Sequence, residues 1–209
     1  MRRIDVSMPL FAGMPAFPGD PEFVVRPVRS VSEGDPYSLS ALSLGSHAGT
    51  HVDPPSHFLA GGDPVDRLDL SVLNGPCRVV DIPPERSVIG PEEVSSVPSG
   101  TSRVLFRTAN SLRWREKLEF FPGYVAVSER GAQALLDRGV RLVGIDSLSV
   151  ESDVTDRFPV HHRLLGGGAL ILEGLLLAES AAGAYELECL PLRIRGGDGG
   201  PARAALRVP

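Results

Sequence analysis

The chain has 209 residues, a formal net charge of −5 and scattered basic side chains, so it offers no basic stripe for a nucleic-acid backbone. No apolar run approaches the roughly 20 residues that cross a bilayer, and Met1-Arg2-Arg3 leads into Asp5 and two prolines, not into the apolar stretch of a signal peptide. A cytoplasmic protein without nucleic-acid or membrane partners is expected, with residues 1–209 forming one domain around a substantial core.

Twenty-three glycines and 19 prolines cut the chain into short pieces, which predicts many strands and turns and leaves little room for long helices. Strands are expected over residues 39–44, 77–82, 103–107, 124–127, 141–145, 169–172, 185–192 and 202–208, supplying most of the core. Pro91 and Pro159 each suit the first turn of a short helix. Ser128 caps a segment whose Ala132, Leu135 and Leu136 share a face and which stops at Gly139. The glycines at 166–168 read as a helix stop and tight turn, and residues 196–201 as a loop before the last strand. Cys77 and Cys189 sit in apolar segments without metal-ligand spacing, so both are expected as buried free thiols. The pattern as a whole predicts a mixed α/β domain.

All five histidines fall in two short segments. The first reads His47-Ala48-Gly49-Thr50-His51-Val52-Asp53-Pro54-Pro55-Ser56-His57-Phe58. Gly49 and the Pro54-Pro55 pair oppose a helix there. In an extended chain the side chains alternate, so His47, His51 and Asp53 would point the same way. Two imidazoles and a carboxylate suit a divalent transition metal; Zn²⁺, Mn²⁺ and Fe²⁺ all accept these donors, and the residue types alone do not choose among them. The second segment carries His161, His162 and Glu173, which ends an apolar strand where a carboxylate is costly to bury without a partner or an ion. Ser147 lacks the Gly-x-Ser-x-Gly surroundings of a nucleophile elbow, which weighs against a serine hydrolase.

The first segment resembles the signature of the cyclase superfamily, His-x-Gly-Thr-His-x-Asp-x-Pro-x-His, and within it the kynurenine formamidases (arylformamidases). Further matches are Phe17-Pro18-Gly19-Asp20, Phe106-Arg107-Thr108, Gly144-Ile145-Asp146-Ser147, the stretch from His161 to Glu173, Gly183-Ala184-Tyr185-Glu186-Leu187 and Pro201-Ala202-Arg203-Ala204, so nearly the whole chain is covered. The resemblance implies a swivelling β/β/α fold with a small central β-barrel flanked by helices, in a homodimer or larger homo-oligomer. It implies that His47, His51 and Asp53 bind one metal and that Asp53 bridges to a second held by His161 and Glu173. His57 would be the general acid/base, His162 a bystander, and Phe17 a wall of the substrate pocket. Departures are Phe17 where the formamidases carry Trp, and Ser149-Val150-Glu151-Ser152 and Thr155-Asp156-Arg157 where they carry Ser-Leu-Asp-Pro and Ser-Lys.

These readings converge on a metal-dependent amidohydrolase acting on a small molecule, with an N-formylkynurenine-type aryl formamide as first-choice substrate and one or two divalent ions per chain. The alternatives are a lactam hydrolase, a ring-closing cyclase or dehydratase of a biosynthetic pathway, and a metal-binding protein without catalysis. Phe58, Trp114, Phe120 and Phe121 join Phe17 as candidates for an aromatic pocket wall.

Overall fold

Seventeen short elements follow one another in the computed structural model, which describes residues 2–155 and 157–208. They are β1 (Arg3–Asp5), β2 (Val24–Arg29), β3 (Leu39–Ser43), β4 (His51–Asp53), α1 (Leu70–Leu73), β5 (Gly75–Asp81), β6 (Val88–Ile89), α2 (Pro91–Ser95), β7 (Arg103–Arg107), α3 (Ala109–Glu116), β8 (Ala126–Val127), α4 (Glu129–Asp137), β9 (Leu142–Ile145), α5 (Pro159–Gly166), β10 (Leu170–Glu173), β11 (Gly183–Pro191) and β12 (Gly200–Arg207). Met1 of the N-terminal reading and Asp156 of the Thr155-Asp156-Arg157 departure lie outside the described residues, as does Pro209.

The strand order β12-β11-β5-β7-β9-β10-β4 closes on itself as a seven-stranded barrel in a single α/β domain. Closure depends on β12. One edge pairs with β11, while the other is shared: Gly200 and Pro201 face Val52 and His51 of β4, and residues 205–207 face β1. The barrel strands therefore leave little open edge for a foreign strand.

Alternation along the strands sorts the core into two bodies. Val52, Cys77, Val79, Leu105, Leu142, Leu172, Leu187 and Leu206 come from all seven barrel strands and fill its interior. Val104, Phe106, Val143, Ile145 and Ile171 point the other way, into a layer completed by Leu135 of α4 and by Val160 and Leu164 of α5. Burying Phe106, fully inaccessible, contributes on the order of 2–3 kcal/mol. The Ser128 cap accepts from the Gly131 N–H, and Gly139 follows α4 at φ +77°, as the sequence implies. Both cysteines are buried free thiols.

The expectation that residues 39–44 feed the core is corrected. Strand β3 is exposed at every residue because it pairs only with β2, in a two-stranded hairpin whose strand residues are all exposed. Helix α3 has no apolar periodicity to announce it. It is held by its N-terminus, where the buried Asp146 carboxylate accepts from the Thr108 and Ser111 N–H groups and from the Thr108 hydroxyl. Burial pushes the Asp146 carboxyl above its ordinary value, against the pull of those donors.

Candidate metal centre

Strand register builds the floor of the site. Antiparallel pairing sets Glu173 of β10 opposite His51 of β4, and Leu172 opposite Val52. Val52 and Leu172 fill the barrel, so His51, Asp53 and Glu173 emerge on the outer face, beside Ile171 and toward α5. Pro159 opens α5, which presents the buried His161 to the same face.

His47 arrives by another route than expected. Residues 47–53 are not continuously extended: His47 lies in a turn, Gly49 takes φ +63°, and only residues 51–53 form strand. Glycine suits that φ at 49, where a Cβ would also meet the Leu10 side chain at 2.8 Å; the turn is pressed onto Gly174, where a Cβ would come within 2.2 Å of the Gly49 carbonyl oxygen. The Thr50 hydroxyl fastens it by donating to the Gly174 carbonyl at 2.6 Å and accepting from the Met8 N–H at 2.7 Å. His47 still reaches Asp53, its Nδ1 lying 2.9 Å from Oδ1.

The cluster is a set of donors facing inward. His51 Nδ1 lies 2.9 Å from the Gly49 carbonyl oxygen, an acceptor, so Nδ1–H donates there and Nε2 is aimed at the carboxylates. Nε2 lies 3.3 Å from Asp53 Oδ1 and 3.2 Å from Glu173 Oε2. His161 Nε2 lies 3.3 Å from Glu173 Oε1 and 3.7 Å from Asp53 Oδ2. Glu173 is oriented by the Val150 N–H, which donates to Oε1 at 2.6 Å. Two ligand-capable triads, His47/Asp53/His57 and His51/Asp53/Glu173, each bring their atoms within 4.8 Å of one another and share Asp53.

Burial opposes charge on His51 and His161, yet the neighbouring carboxylates draw both up to about 10. Burial likewise opposes ionisation of Asp53, but His47 and His51 hold its carboxyl well below the usual range. A pocket that draws protons this strongly is one that favours a cation. His47 Nε2 and Asp53 Oδ2 are buried without a hydrogen-bond partner, a costly state that a coordinated ion would relieve. The donor set and these two orphaned atoms fit a divalent metal.

His57 stands at the end of a 3₁₀ turn begun by the rigid Pro54-Pro55 pair. Its ring stacks on His47 at 3.9 Å, which puts it within reach of both ligation and proton transfer. Burial holds its imidazole below the ordinary value. A cavity of about 180 Å³ opens above the cluster, walled by Phe17, Phe58, Phe158 and Leu148 with Ser149 and Asp20 at its edges. Of the five aromatic candidates, Phe17 and Phe58 line it. Trp114, Phe120 and Phe121 do not, and instead pack around a separate cleft with Tyr124 and Leu148, although Phe120 meets the Phe17 ring edge-on at 6.4 Å. His162 is exposed, does not line the cavity, and its ring meets Phe58 at 5.3 Å. Ser147 is buried and donates to the Ser149 carbonyl, with no histidine as partner.

Sequence reasoning assigns no role to three residues of the site. Phe158 takes φ +50°, a strained conformation for a non-glycine residue, and turns its ring against Phe58 at 5.3 Å. Glu151 contacts His161 Nδ1 at 3.3 Å. Gly199 lies against the His47 ring. Phe158 and Gly199 belong to no local pattern, acting through backbone shape or across a long sequence separation, whereas Glu151 lies in the Ser149-Val150-Glu151-Ser152 element, ten residues before His161, and acquires its partner only through the fold.

Residues 4–152 match the family model Cyclase, described as "Putative cyclase". The chain is 38% identical over 210 residues to a protein named kynurenine formamidase from Salinibacter ruber, covering 99% of this chain and 98% of that one. A solved structure described as a potential metal-dependent hydrolase with cyclase activity superposes with a TM-score of 0.84 at 32% identity, over 100% of this chain and 99% of the other. Isatin hydrolase A from Labrenzia aggregata shares the fold, with a TM-score of 0.83 at 23% identity over 98% and 93% of the two chains.

Proposed function

The chain belongs to the cyclase family and is a metal-dependent amidohydrolase; from that premise we propose that it cleaves an aryl formamide of the N-formylkynurenine type. One observation carries the reading: a buried, cation-seeking cluster of imidazoles and carboxylates lies at the floor of a cavity walled by three phenyl rings. Near-full-length similarity to a kynurenine formamidase supports the choice of substrate.

His47, His51, Asp53, His161 and Glu173 are the residues that would hold one or two divalent ions, Zn²⁺ first and Mn²⁺ second, with Asp53 shared between them. Such an ion, when bound, supplies Lewis acidity at the scissile carbonyl and makes water a competent nucleophile near neutral pH. Phe17, Phe58 and Phe158 hold the aryl ring and keep bulk water away from the carbonyl. His57 accepts a proton from the attacking water and returns it to the amine nitrogen as the C–N bond breaks, releasing arylamine and formate. Proton transfer of this kind contributes roughly 10²–10⁴ in rate.

No helix among the described residues is long and apolar enough to cross a membrane, and cytoplasmic residence remains part of this proposal. So does assembly into a homodimer or larger homo-oligomer, which the apolar side chains exposed on the β2–β3 hairpin support, Val24, Val25, Val28 and Leu42 among them. A second reading, hydrolysis of a cyclic amide, draws on the fold shared with isatin hydrolase A and on the smaller Phe17 ring at the pocket wall.

The test is the rate of N-formylkynurenine hydrolysis with and without chelator, followed by restoration with Zn²⁺ or Mn²⁺. Chelator-sensitive formate release is expected. Absence of turnover by fully metallated protein would reject this substrate and favour a lactam or a ring-closing reaction.

A further inference from the structure

We infer that Glu151 is a positioning residue that sets the orientation and tautomer of His161, so that Nε2 of this ring faces Asp53 and Glu173. The inference rests on the reading of the cluster as a metal centre. Glu151 follows β9 by six residues and is 3% exposed. Its Oε2 lies 3.3 Å from His161 Nδ1, on the opposite side of the imidazole from the other two carboxylates.

The same oxygen accepts from the Val160 N–H at 2.9 Å and, more weakly, from the His161 N–H at 3.4 Å. One carboxylate thus ties the ring of His161 to the backbone that carries it. Its own backbone is fixed at both ends: the Glu151 N–H donates to Ser149 Oγ at 3.1 Å, and its carbonyl accepts from the Tyr124 hydroxyl at 2.9 Å. The geometry holds Glu151 where it can orient the histidine but cannot reach the cation side of the ring.

Glu151 Oε2 already accepts from two backbone N–H groups, so it meets Nδ1 as an acceptor: Nδ1 is the donor and Nε2 keeps its lone pair for a cation. Carboxylate partners of this kind also raise the basicity of a ligating imidazole. Glutamine at 151 carries no charge, and because one oxygen makes all three contacts it either keeps its carbonyl oxygen there and accepts from Nδ1–H more weakly, or turns its amide N–H toward Nδ1, favouring the wrong tautomer and leaving the two backbone N–H groups without that acceptor.

The test is Zn²⁺ affinity, measured by competition with a chromophoric chelator, for the parent and for Glu151→Gln, together with the melting temperature of both chelated proteins. Glu151→Gln should bind Zn²⁺ roughly 10- to 100-fold more weakly while its chelated form melts close to the parent. Equal affinity in parent and variant would overturn the inference alone. A parent that binds no Zn²⁺ would take down the reading of the centre as well. Should the variant fail to fold, ¹⁵N NMR of the Zn²⁺-loaded parent decides: a retained proton on His161 Nδ1 with Nε2 as the metal-bound nitrogen is expected, and the reverse assignment would overturn the inference.

Discussion

Gly199→Ala is the sharpest perturbation the structure offers. Gly199 does not sit in the left-handed backbone region, so alanine adds a methyl group without straining the main chain. That Cβ would lie 2.5 Å from His47 Cε1 and 2.6 Å from Nε2, against an ordinary contact of 3.4 Å or more, so the ring must retreat by about 1 Å. The same ring stacks on His57 at 3.9 Å and holds the Asp53 carboxylate at 2.9 Å. A shift of the imidazole disturbs its contacts with Asp53 and His57. Overpacking of this kind costs about 1–3 kcal/mol, and a displacement near 1 Å in a reacting constellation costs about 10²-fold in rate. Metal affinity by chelator competition and kcat/KM on the metallated protein should both fall, affinity by roughly 5- to 150-fold on that energy scale. Affinity and kcat/KM both at parental levels would refute the argument that the His47 ring needs the space left by Gly199.

His57→Ala should lower kcat by about 10²–10⁴ while leaving metal content intact, and loss of the metal would instead make His57 a ligand alongside His47 and Asp53. Without an ion, the neighbouring carboxylates push His51 and His161 up to about 10 from an ordinary 6.5. A folded-state pKa above the unfolded one adds stability that is complete below about pH 6.5 and is lost as pH rises through about 10. The melting temperature of chelated protein should therefore decline across that interval, and a flat profile would contradict the charge arrangement of the centre. Saturating the centre with Zn²⁺ at about 100 times its Kd adds near 2.7 kcal/mol, which for a chain of this length raises the melting temperature by roughly 5–10 °C; calorimetry that finds no shift argues against a metal site. Phe17→Ala should raise KM for an aryl formamide by roughly three- to tenfold with kcat little changed, whereas a loss confined to kcat would remove Phe17 from the binding wall.

Much of the scaffold was legible locally. Residues 103–107 read as a strand and are one, because alternating branched residues there serve two buried faces. The Ser128 cap and Gly139 stop delimit α4 through chemistry contained within a dozen residues. Other elements were silent. Strand β2 carries a proline and two arginines and is exposed throughout, so no burial pattern marks it. Helix α3 depends on Asp146, 35 residues beyond Ser111.

The sequence by itself determined which residues could do chemistry here: histidines confined to two segments, a carboxylate two residues from His51, and a glutamate closing an apolar strand. Periodicity of two was enough to put His51 and Asp53 on one face, since they share a strand. Only the tertiary structure decided that Glu173 stands opposite His51, because register between β4 and β10 is set by a barrel closing across more than a hundred residues. It also decided that His47 enters from a turn, that Gly199 leaves room for its ring, and that Glu151 backs His161. Each of these is fixed by packing and backbone shape, which a local pattern of residues does not encode.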